Sequence, residues 1–251
     1  MRISLARVLG ITAVTAASIA VLPSPAQAAT EAWINTATVS PSTQVINGDA
    51  DCAEKVKISV DVYDPSNEGT ADDLSAEVYD AAGAPVDFVL FDPDSRSGDH
   101  FTAHGWVFTC AGLETPGKYH AKITLDWYDD DLNLHESVRD RYFTIQRPTS
   151  LTYNATPEPV KKNTSLTHSG VLKFDPYSFG SMYGPSGVTI QFWFKQSGTT
   201  TYVSKGTVTT TSGGKYTKKI TATASGTWKA VYPGTSARQA QTMYDAVSVT
   251  G

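Results

Sequence analysis

The stretch GKYHAKITLDW, residues 117–127, alternates apolar and polar side chains from Tyr119 onward. Successive side chains of a β-strand point to opposite faces of a sheet, so this period of two predicts a strand with one buried face. The same alternation occurs in VKISVDV at 56–62 and in VTIQFWFK at 188–195. Turn-forming clusters of Gly, Pro, Asn and Asp separate such stretches, and no segment after residue 28 carries a helical stripe. The sequence therefore predicts an all-β protein of half-buried antiparallel strands.

The first 28 residues have the pattern of a secretory signal peptide. Arg2 and Arg7 supply positive charge, residues 8–22 are apolar, and AQA at 26–28 is a small-residue cleavage site. Because the apolar core is short and rich in small residues, it is a poor membrane anchor. No later apolar run reaches the length of a membrane span. We therefore expect cleavage after Ala28 and a soluble, exported protein.

Length and charge divide the rest of the chain into two parts. Removing 28 of the 251 residues leaves 223, which suits two domains, and the strand pattern stops at QRPTS, residues 146–150. Residues 29–147 hold 22 acidic and 8 basic residues, a net charge of −14, whereas residues 148–251 hold 3 and 10, a net charge of +7. We predict one domain in each of these ranges. The opposite charges indicate different partners, or contact between the acidic and the basic domain, or ordinary solubility charge on unrelated modules.

The chain has two cysteines, Cys52 and Cys110. In an oxidising compartment, two cysteines without C-x-x-C spacing are typical of a structural disulfide and not of a metal site. A bridge between them would close a loop of 59 residues. In the chain-entropy model such a loop stabilises the fold by about 4 kcal/mol. We predict a Cys52–Cys110 disulfide in the first domain.

Two octapeptides, GKYHAKIT at 117–124 and GKYTKKIT at 214–221, share six letters. More chain follows the second octapeptide than remains in the first domain after the first one, so we expect them to occupy non-equivalent strands. The better counterpart of GKYHA at 117–121 is GTWKA at 226–230. Both have the pattern Gly-x-aromatic-x-Ala, and both precede a turn and a final strand. The sequence leaves open whether the two domains share descent.

The Gly-x-aromatic-x-Ala start resembles the penultimate strand of immunoglobulin-like domains, where an aromatic side chain closes a corner of the sandwich. The second domain also resembles a type of secreted immunoglobulin-like module of actinobacteria. The segments that carry this resemblance are RPT at 147–149, NATPEPVKK at 154–162, SGTWKAVYPG at 225–234 and DAVSV at 245–249. Most proteins of this type have no assigned function, and some carry a calcium-binding label. The resemblance implies two immunoglobulin-like antiparallel β-sandwiches.

Acidic residues crowd the segment before the last predicted strand of the first domain. Asp129, Asp131 and Asn133 have the 1, 3, 5 spacing of a helix-loop calcium site, and calcium prefers such oxygen ligands. However, Leu134 stands where that loop needs glycine, and Asp140 stands where it needs glutamate. The segment is therefore either a solvated hairpin turn or a weak, open calcium site.

A second acidic segment, residues 92–99, has the composition of a turn. Its carboxylates Asp92, Asp94 and Asp99 are candidates to share a calcium ion, although Arg96 neutralises part of their field. If the fold brought this segment near residues 129–133, the two would form one better site. Calcium is thus the one candidate cofactor, and we expect millimolar calcium to raise the melting temperature if either site exists.

Neither the spacing of the histidines nor any catalytic motif in the sequence indicates an enzyme. His100 and His104 have a zinc spacing for a helix, but in a strand residues four apart are separated by about 13 Å. No G-x-S-x-G occurs, and no cysteine stays free once the bridge forms. The first domain has enough acidic residues to supply the carboxylate pair of a glycoside hydrolase, but any acidic surface offers such pairs. A secreted hydrolase is therefore a remote alternative.

Trp193 is the strongest candidate for ligand contact. With Phe192 and Phe194 directed to the core, Trp193 points outward between Gln191 and Lys195. An outward Trp in a cationic frame can stack on a sugar ring or take part in an interface. The glycine-rich stretch before it either covers Trp193 or extends an aromatic platform. The aromatic residues of this glycine-rich stretch are Tyr177, Phe179 and Tyr183.

The sequence predicts a secreted, non-enzymatic binding protein that acts at or outside the cell envelope. Because the second domain carries a charge of +7, we expect an extracellular polysaccharide, an anionic cell-wall polymer or a protein as its partner. Nucleic acid is not expected, since arginine is nearly absent from this domain and the chain is exported. Calcium binding through the acidic segments is the alternative function, and the two are compatible.

Overall fold

The computed structural model describes residues 32–46, 54–65, 73–109, 115–128, 132–176 and 181–251. These ranges form nineteen β-strands and one short 3-10 turn, Ser212–Gly214, so the predicted all-β fold is confirmed. None of these residues belongs to a helix long and apolar enough to cross a membrane. The predicted signal peptide and both cysteines of the predicted disulfide, Cys52 and Cys110, lie outside the described residues.

The first sandwich consists of two sheets. Its strands are β1 Trp33–Ser40, β2 Thr43–Val45, β3 Glu54–Tyr63, β4 Leu74–Tyr79, β5 Pro85–Leu90, β6 Asp92–Ser97, β7 His100–Thr109, β8 Gly117–Tyr128 and β9 Leu134–Gln146. One sheet has the order β1-β3-β7-β6, with all neighbours antiparallel. The other has the order β2-β9-β8-β4-β5, in which only β2 runs parallel to its neighbour. The chain therefore crosses from one sheet to the other between β1 and β2, at Pro41.

The second sandwich has the same plan. Its strands are β10 Thr149–Leu151, β11 Asn154–Thr156, β12 Val160–Lys161, β13 Thr164–Phe174, β14 Thr189–Gln196, β15 Val203–Thr209, β16 Lys215–Ala222, β17 Gly226–Tyr232, β18 Gln241–Val247 and β19 Val249–Thr250. Strand β13 pairs with β16 on one side and with β10 and β11 on the other. The opposite sheet has the order β15-β14-β17-β18. Here, too, the first strand is split, since β12 runs parallel to the final strand β19.

The predicted alternation decides which face of each strand is buried. Along β3, Val56, Ile58, Val60 and Val62 are all at most 2% exposed. The inward side chains of β8 and β14 are buried in the same way: Tyr119, Ala121, Ile123, Leu125, Ile190, Phe192 and Phe194. Burying these apolar side chains supplies the main favourable free energy of folding.

The strand order separates the two similar octapeptides. GKYHAKIT starts β8, which lies between β9 and β4, and GTWKA starts β17, which lies between β18 and β14. GKYTKKIT instead forms most of β16, which pairs with β13 in the other sheet. The prediction that GKYHA corresponds to GTWKA is therefore confirmed. The shared letters of the octapeptides reflect a common local need for inward tyrosine and isoleucine and outward lysine.

The aromatic residue of this pattern closes a corner of the first sandwich. The Tyr119 side chain is 1% exposed, and its hydroxyl donates a hydrogen bond to the carbonyl oxygen of Thr115 at 2.9 Å. This tyrosine corner, the paired sheets and the split first strand define an immunoglobulin-like β-sandwich. In the second sandwich Trp228 takes the same position on β17 and is 2% exposed.

The two sandwiches have separate hydrophobic cores. Buried apolar residues between Ala32 and Ile145 form one cluster, and those between Leu151 and Val247 form two adjoining clusters. No buried residue of the first cluster belongs to the others, within the described part of the chain. This division agrees with two domains, whose bounds remain a prediction.

The join between the sandwiches is anchored to the second one. Arg147 is 2% exposed, and its backbone N–H donates to the carbonyl oxygen of Ala237 at 3.0 Å. The Gln146 amide donates to the carbonyl oxygen of Thr235 at 2.7 Å. Arg147, which the sequence places at the end of the first domain, thus packs against residues of the second.

Candidate ligand-binding face

Trp193 lies on the outward face of the sheet β15-β14-β17-β18. Its neighbours Phe192 and Phe194 on β14 are 0% and 7% exposed and belong to the core. The Trp193 side chain therefore shares the other face with Gln191 and Lys195, in agreement with the alternation, and all three are partly exposed. The indole Nε1 donates to Oε1 of Gln191 at 3.3 Å, which orients the ring.

Cross-strand pairing places a lysine and a tyrosine in line with Trp193. Trp193 is directly opposite Lys229 of β17, and Lys229 is directly opposite Tyr244 of β18. Paired side chains on one face of a sheet lie about 5 Å apart. The Lys229 ammonium is 5.4 Å from the centroid of the Trp193 ring, a cation–π distance. Across the three strands, the Lys229 ammonium group thus lies between the aromatic rings of Trp193 and Tyr244.

Tyr202, just before β15, completes this cluster. Its ring centroid is 4.4 Å from Nζ of Lys229 and 5.2 Å from Nζ of Lys195. Its centroid is 6.5 Å from that of Tyr244. Desolvation raises the pKa of the Tyr202 hydroxyl, and Tyr244 raises it further, so the phenol is neutral. We name this surface the aromatic–lysine face, and its residues are Gln191, Trp193, Lys195, Tyr202, Lys229 and Tyr244.

The aromatic–lysine face has positive charge without a carboxylate of its own. Strands β14, β15, β17 and β18 contain one acidic residue, Asp245. Its Oδ2 accepts the backbone N–H of Ala155 at 2.7 Å, on the side of the core. The Tyr244 side chain is 60% exposed and so accessible to a ligand. This arrangement can stack on apolar ring faces and attract anions, and it presents no nucleophile or acid pair.

Tyr183 lies apart from this face. Its backbone exchanges two hydrogen bonds with Phe174 of β13, and the two rings are 6.1 Å apart in an edge-to-face arrangement. Among the described residues, no ring contact joins Tyr183 to Trp193. Tyr177 and Phe179, the other predicted members of the platform, lie outside the described residues. Lys229 instead links Trp193 to Tyr202 and Tyr244.

The acidic segment 92–99 forms a strand, and the prediction that it is a turn was wrong. Strand β6 covers Asp92–Ser97, and only Gly98 and Asp99 form the turn to β7. Pairing with β7 continues to the last residue before the turn, because Ser97 lies opposite His100. Backbone hydrogen bonds to a long neighbouring strand outweigh the turn-like composition.

The predicted calcium ligands Asp92, Asp94 and Asp99 do not form a metal site in the described part of the chain. Asp94 Oδ1 lies 2.7 Å from Nδ1 of His104, the residue directly opposite Asp92 on β7, while Asp99 lies in the turn between β6 and β7. No group of three His, Cys, Asp or Glu side chains in the described ranges is placed to hold a metal ion. Asn133 is exposed, and Asp129 and Asp131 lie outside the described residues. Calcium binding at Asp129, Asp131 and Asn133 therefore stays a prediction.

Comparison with known proteins finds only distant structural similarity. No protein-family model and no curated protein matches it. Among solved structures it is similar to a DUF4785 family protein from Legionella pneumophila, at 12% identity and a TM-score of 0.44, over 84% of this chain and 56% of that one. It is also similar to the Escherichia coli adhesin FdeC, at 15% identity and a TM-score of 0.31, over 86% of this chain and 64% of that one.

A third similar structure is the full ectodomain of mouse nectin-like molecule 4. The identity is 11% and the TM-score is 0.29, over 88% of this chain and 66% of that one. The chain thus spans less than two thirds of each of these three proteins. The chain itself is built from two immunoglobulin-like β-sandwiches, as its own strand order shows. Its function has to be argued from its side chains.

Proposed function

We propose that this chain is a secreted, non-enzymatic binding protein whose aromatic–lysine face binds an anionic polysaccharide or cell-wall polymer. The observation that carries the proposal is the row of Trp193, Lys229 and Tyr244 across three neighbouring strands. Apolar faces of sugar rings stack on indole and phenol rings, and ammonium groups attract carboxylates or phosphates on the same polymer.

The charge of the second sandwich supports an anionic ligand. Residues 148–251 carry a net charge of +7, and the face itself contains Lys195 and Lys229, while Asp245 is the acidic residue on its strands. Because Asp245 is bonded on the core side, the field above the face is positive. A repeating polymer also has many equivalent sites, so a shallow face can hold it by rebinding.

The position of these side chains across one sheet supports binding rather than catalysis. Trp193, Lys229 and Tyr244 stand on paired strands of a sheet, which hold them in fixed positions. Trp193 and Lys229 are partly exposed, and Tyr244 is 60% exposed. An extended polymer can lie on such a surface without entering a closed cavity. The proposal therefore assigns recognition to the sheet, and no reaction.

Exchange of Trp193 tests the proposal. We expect wild-type protein to be retained by an insoluble polyuronate or by purified anionic cell wall, and less by neutral cellulose. Trp193→Ala and Lys229→Ala should each weaken retention about tenfold or more, the usual loss for a central aromatic or charged contact. Sedimentation with the polymer, followed by assay of the free protein, measures this change. Retention should also decrease with added salt, because charge contributes to it.

Tyr183→Ala is the matched control for Trp193→Ala. Tyr183 is 47% exposed, belongs to the same sandwich and lies apart from the face, so its loss should leave retention unchanged. Unaltered retention of Trp193→Ala, or no retention of the wild type, would remove the proposal. Equal losses of retention in Trp193→Ala and Tyr183→Ala would show that the binding surface is not the one around Trp193 on β14.

Export belongs to the same proposal. Residues 1–28 have the pattern of a cleaved leader, and the resemblance of the second domain to secreted modules favours the same location. We expect the extracellular form of the protein to begin at Ala29. Intact-mass measurement of protein from the culture medium checks this, and a chain that stays inside the cell with Met1 retained would contradict it.

A further inference from the structure

A groove of about 400 Å³ opens along β15, the edge strand of the sheet that carries the aromatic–lysine face. Binding sites for small molecules have volumes of about 300–1,000 Å³, so this groove is large enough for a small polar ligand. The lining residues that bear on its chemistry are Phe194, Thr199, Thr201, Val203, Lys205 and Thr223.

The groove and the aromatic–lysine face lie on opposite sides of one hairpin. On β14, Trp193 points outward and Phe194 points toward the core and the groove. Beyond the turn, Tyr202 contacts the lysines of the face, whereas its neighbours Thr201 and Val203 line the groove. The β14–β15 hairpin therefore presents two separate surfaces to ligands.

Lys205 gives the groove its charge. Its Nζ lies 5.6 Å from the centroid of the Phe194 ring, and Phe194 is 7% exposed. The lining contains no Asp or Glu, and the ion pairs found in the described residues do not involve Lys205. An anionic ligand would therefore meet an ammonium group that has no competing carboxylate beside it.

The rest of the lining suits a polyhydroxylated ring. Thr199 donates its hydroxyl proton to the carbonyl oxygen of Gln196 at 2.8 Å, so its oxygen can accept a hydrogen bond from a ligand hydroxyl. Thr201 and Thr223 add two further hydroxyl groups. Val203 is 58% exposed and provides an apolar wall.

We propose that this groove binds a single carboxylate-bearing sugar of the hexuronate type. The carboxylate pairs with Lys205, the ring hydroxyls bond to the threonines, and the apolar face of the ring packs on Val203. The inference rests on the proposed function for the source of the sugar, since a polyuronate held by the aromatic–lysine face would supply such residues. The binding of a free monosaccharide to the groove does not depend on that face.

Amide NMR of the whole chain tests the site directly. Titration with sodium D-glucuronate should give saturable shifts at Thr199, Thr201 and Thr223. D-glucose lacks the carboxylate and so the charge-assisted hydrogen bond to Lys205, and sodium acetate lacks the sugar ring and so its contacts. Each should therefore bind about tenfold more weakly than glucuronate, or worse. Equal binding of glucuronate and glucose, or shifts confined to other residues, would overturn the proposal.

Lys205→Gln tests the role of the charge. We expect this variant to bind glucuronate about tenfold or more weakly and Lys205→Arg to keep most of the affinity. The matched control is Lys173→Gln, an exposed lysine on β13 that does not line the groove. Melting temperatures verify that each variant is folded, and a folded Lys205→Gln with wild-type affinity would contradict the assignment.

Trp193→Ala separates this inference from the proposed function. The variant should lose retention on the polymer but keep the glucuronate shifts at the groove. If the wild type binds glucuronate at the groove but is not retained by the polymer, the proposed function fails and the groove site stands. If the polymer is retained and the groove shows no shifts, the groove site fails and the proposed function stands.

Discussion

At the scale of single residues, His168 is a histidine inside an apolar core. It is 0% exposed, its Nδ1 lies 2.7 Å from the Tyr153 hydroxyl, and its ring centroid lies 4.3 Å from that of Trp228. Burial lowers the pKa of His168 to about 4, and the charge of Lys218 contributes to the same direction. His168 is therefore neutral at neutral pH, where it serves as a packed aromatic ring.

We expect the free energy of unfolding of the second sandwich to fall as the pH decreases from about 6.5 to about 4. The unfolded chain binds a proton at the ordinary histidine pKa near 6.5, whereas the folded chain binds it only at about 4, so acid in this window favours the unfolded state. The full effect is about 3 kcal/mol. Urea unfolding across this pH range measures it. His168→Phe should flatten the dependence, and an undiminished slope in that variant would contradict the assignment.

At the scale of elements, the register between strands decides what surrounds each outward side chain. The pairing of β14 with β17 sets Lys229 beside Trp193, and the pairing of β17 with β18 sets Tyr244 beside Lys229. A shift by one residue would turn the outward side chains of a strand to the core. The buried Phe192 and Phe194 prevent that shift on β14, so the core also fixes the composition of the aromatic–lysine face.

The turn before β16 offers a test of close packing between elements. Gly213 and Gly214 have φ values of 75° and 73°, in the left-handed region that favours glycine. A Cβ on Gly214 would overlap the carbonyl oxygen of Leu172, whereas a Cβ on Gly213 would meet nothing within 4 Å. Gly213→Ala should therefore cost about 1–2 kcal/mol for conformation alone. Gly214→Ala should cost about 1–3 kcal/mol more for overlap.

Denaturant unfolding of the two variants measures this difference. Because the two glycines are adjacent and have nearly the same φ, Gly213→Ala serves as the control for the conformational part. Equal losses in both variants would show that Leu172 moves aside and that the turn is not tightly packed against β13.

At the scale of the whole molecule, two bodies of opposite charge are joined at one short segment. The first carries −14 and the second +7, and their hydrophobic cores share no buried residue in the described ranges. Arg147 and Gln146 tie the join to Ala237 and Thr235 of the second sandwich. Separate cores allow separate unfolding, because each buries its own apolar surface.

We expect calorimetry to resolve two transitions that respond to different conditions. A reducing agent should lower only the transition of the first sandwich, by breaking the predicted Cys52–Cys110 bridge, whose chain-entropy contribution is about 4 kcal/mol. Acid between pH 6.5 and about 4 should lower the transition of the second sandwich through His168. A single transition that responds to both treatments would show one cooperative unit and contradict the two predicted domains.

The sequence alone determined the fold class, the buried faces and the outward direction of Trp193. These are local properties, since the alternation of a strand assigns each side chain to a face whatever its neighbours are. The same local information identified GKYHA and GTWKA as counterparts, because each has a glycine at the strand start followed by an aromatic residue and an alanine that point inward. The sequence therefore predicted much of the architecture from Tyr119, Trp193 and their immediate neighbours.

Only the tertiary structure decided which residues meet. Lys229, Tyr202 and Tyr244 were absent from the predicted face because their contacts depend on strand pairing between distant parts of the chain. Tyr183 was assigned to that face through its nearness in sequence, but it packs against Phe174. Composition likewise placed a turn at 92–99, where hydrogen bonding to β7 formed a strand. Side-chain direction follows from the local backbone, whereas cross-strand neighbours follow from how the whole chain is arranged.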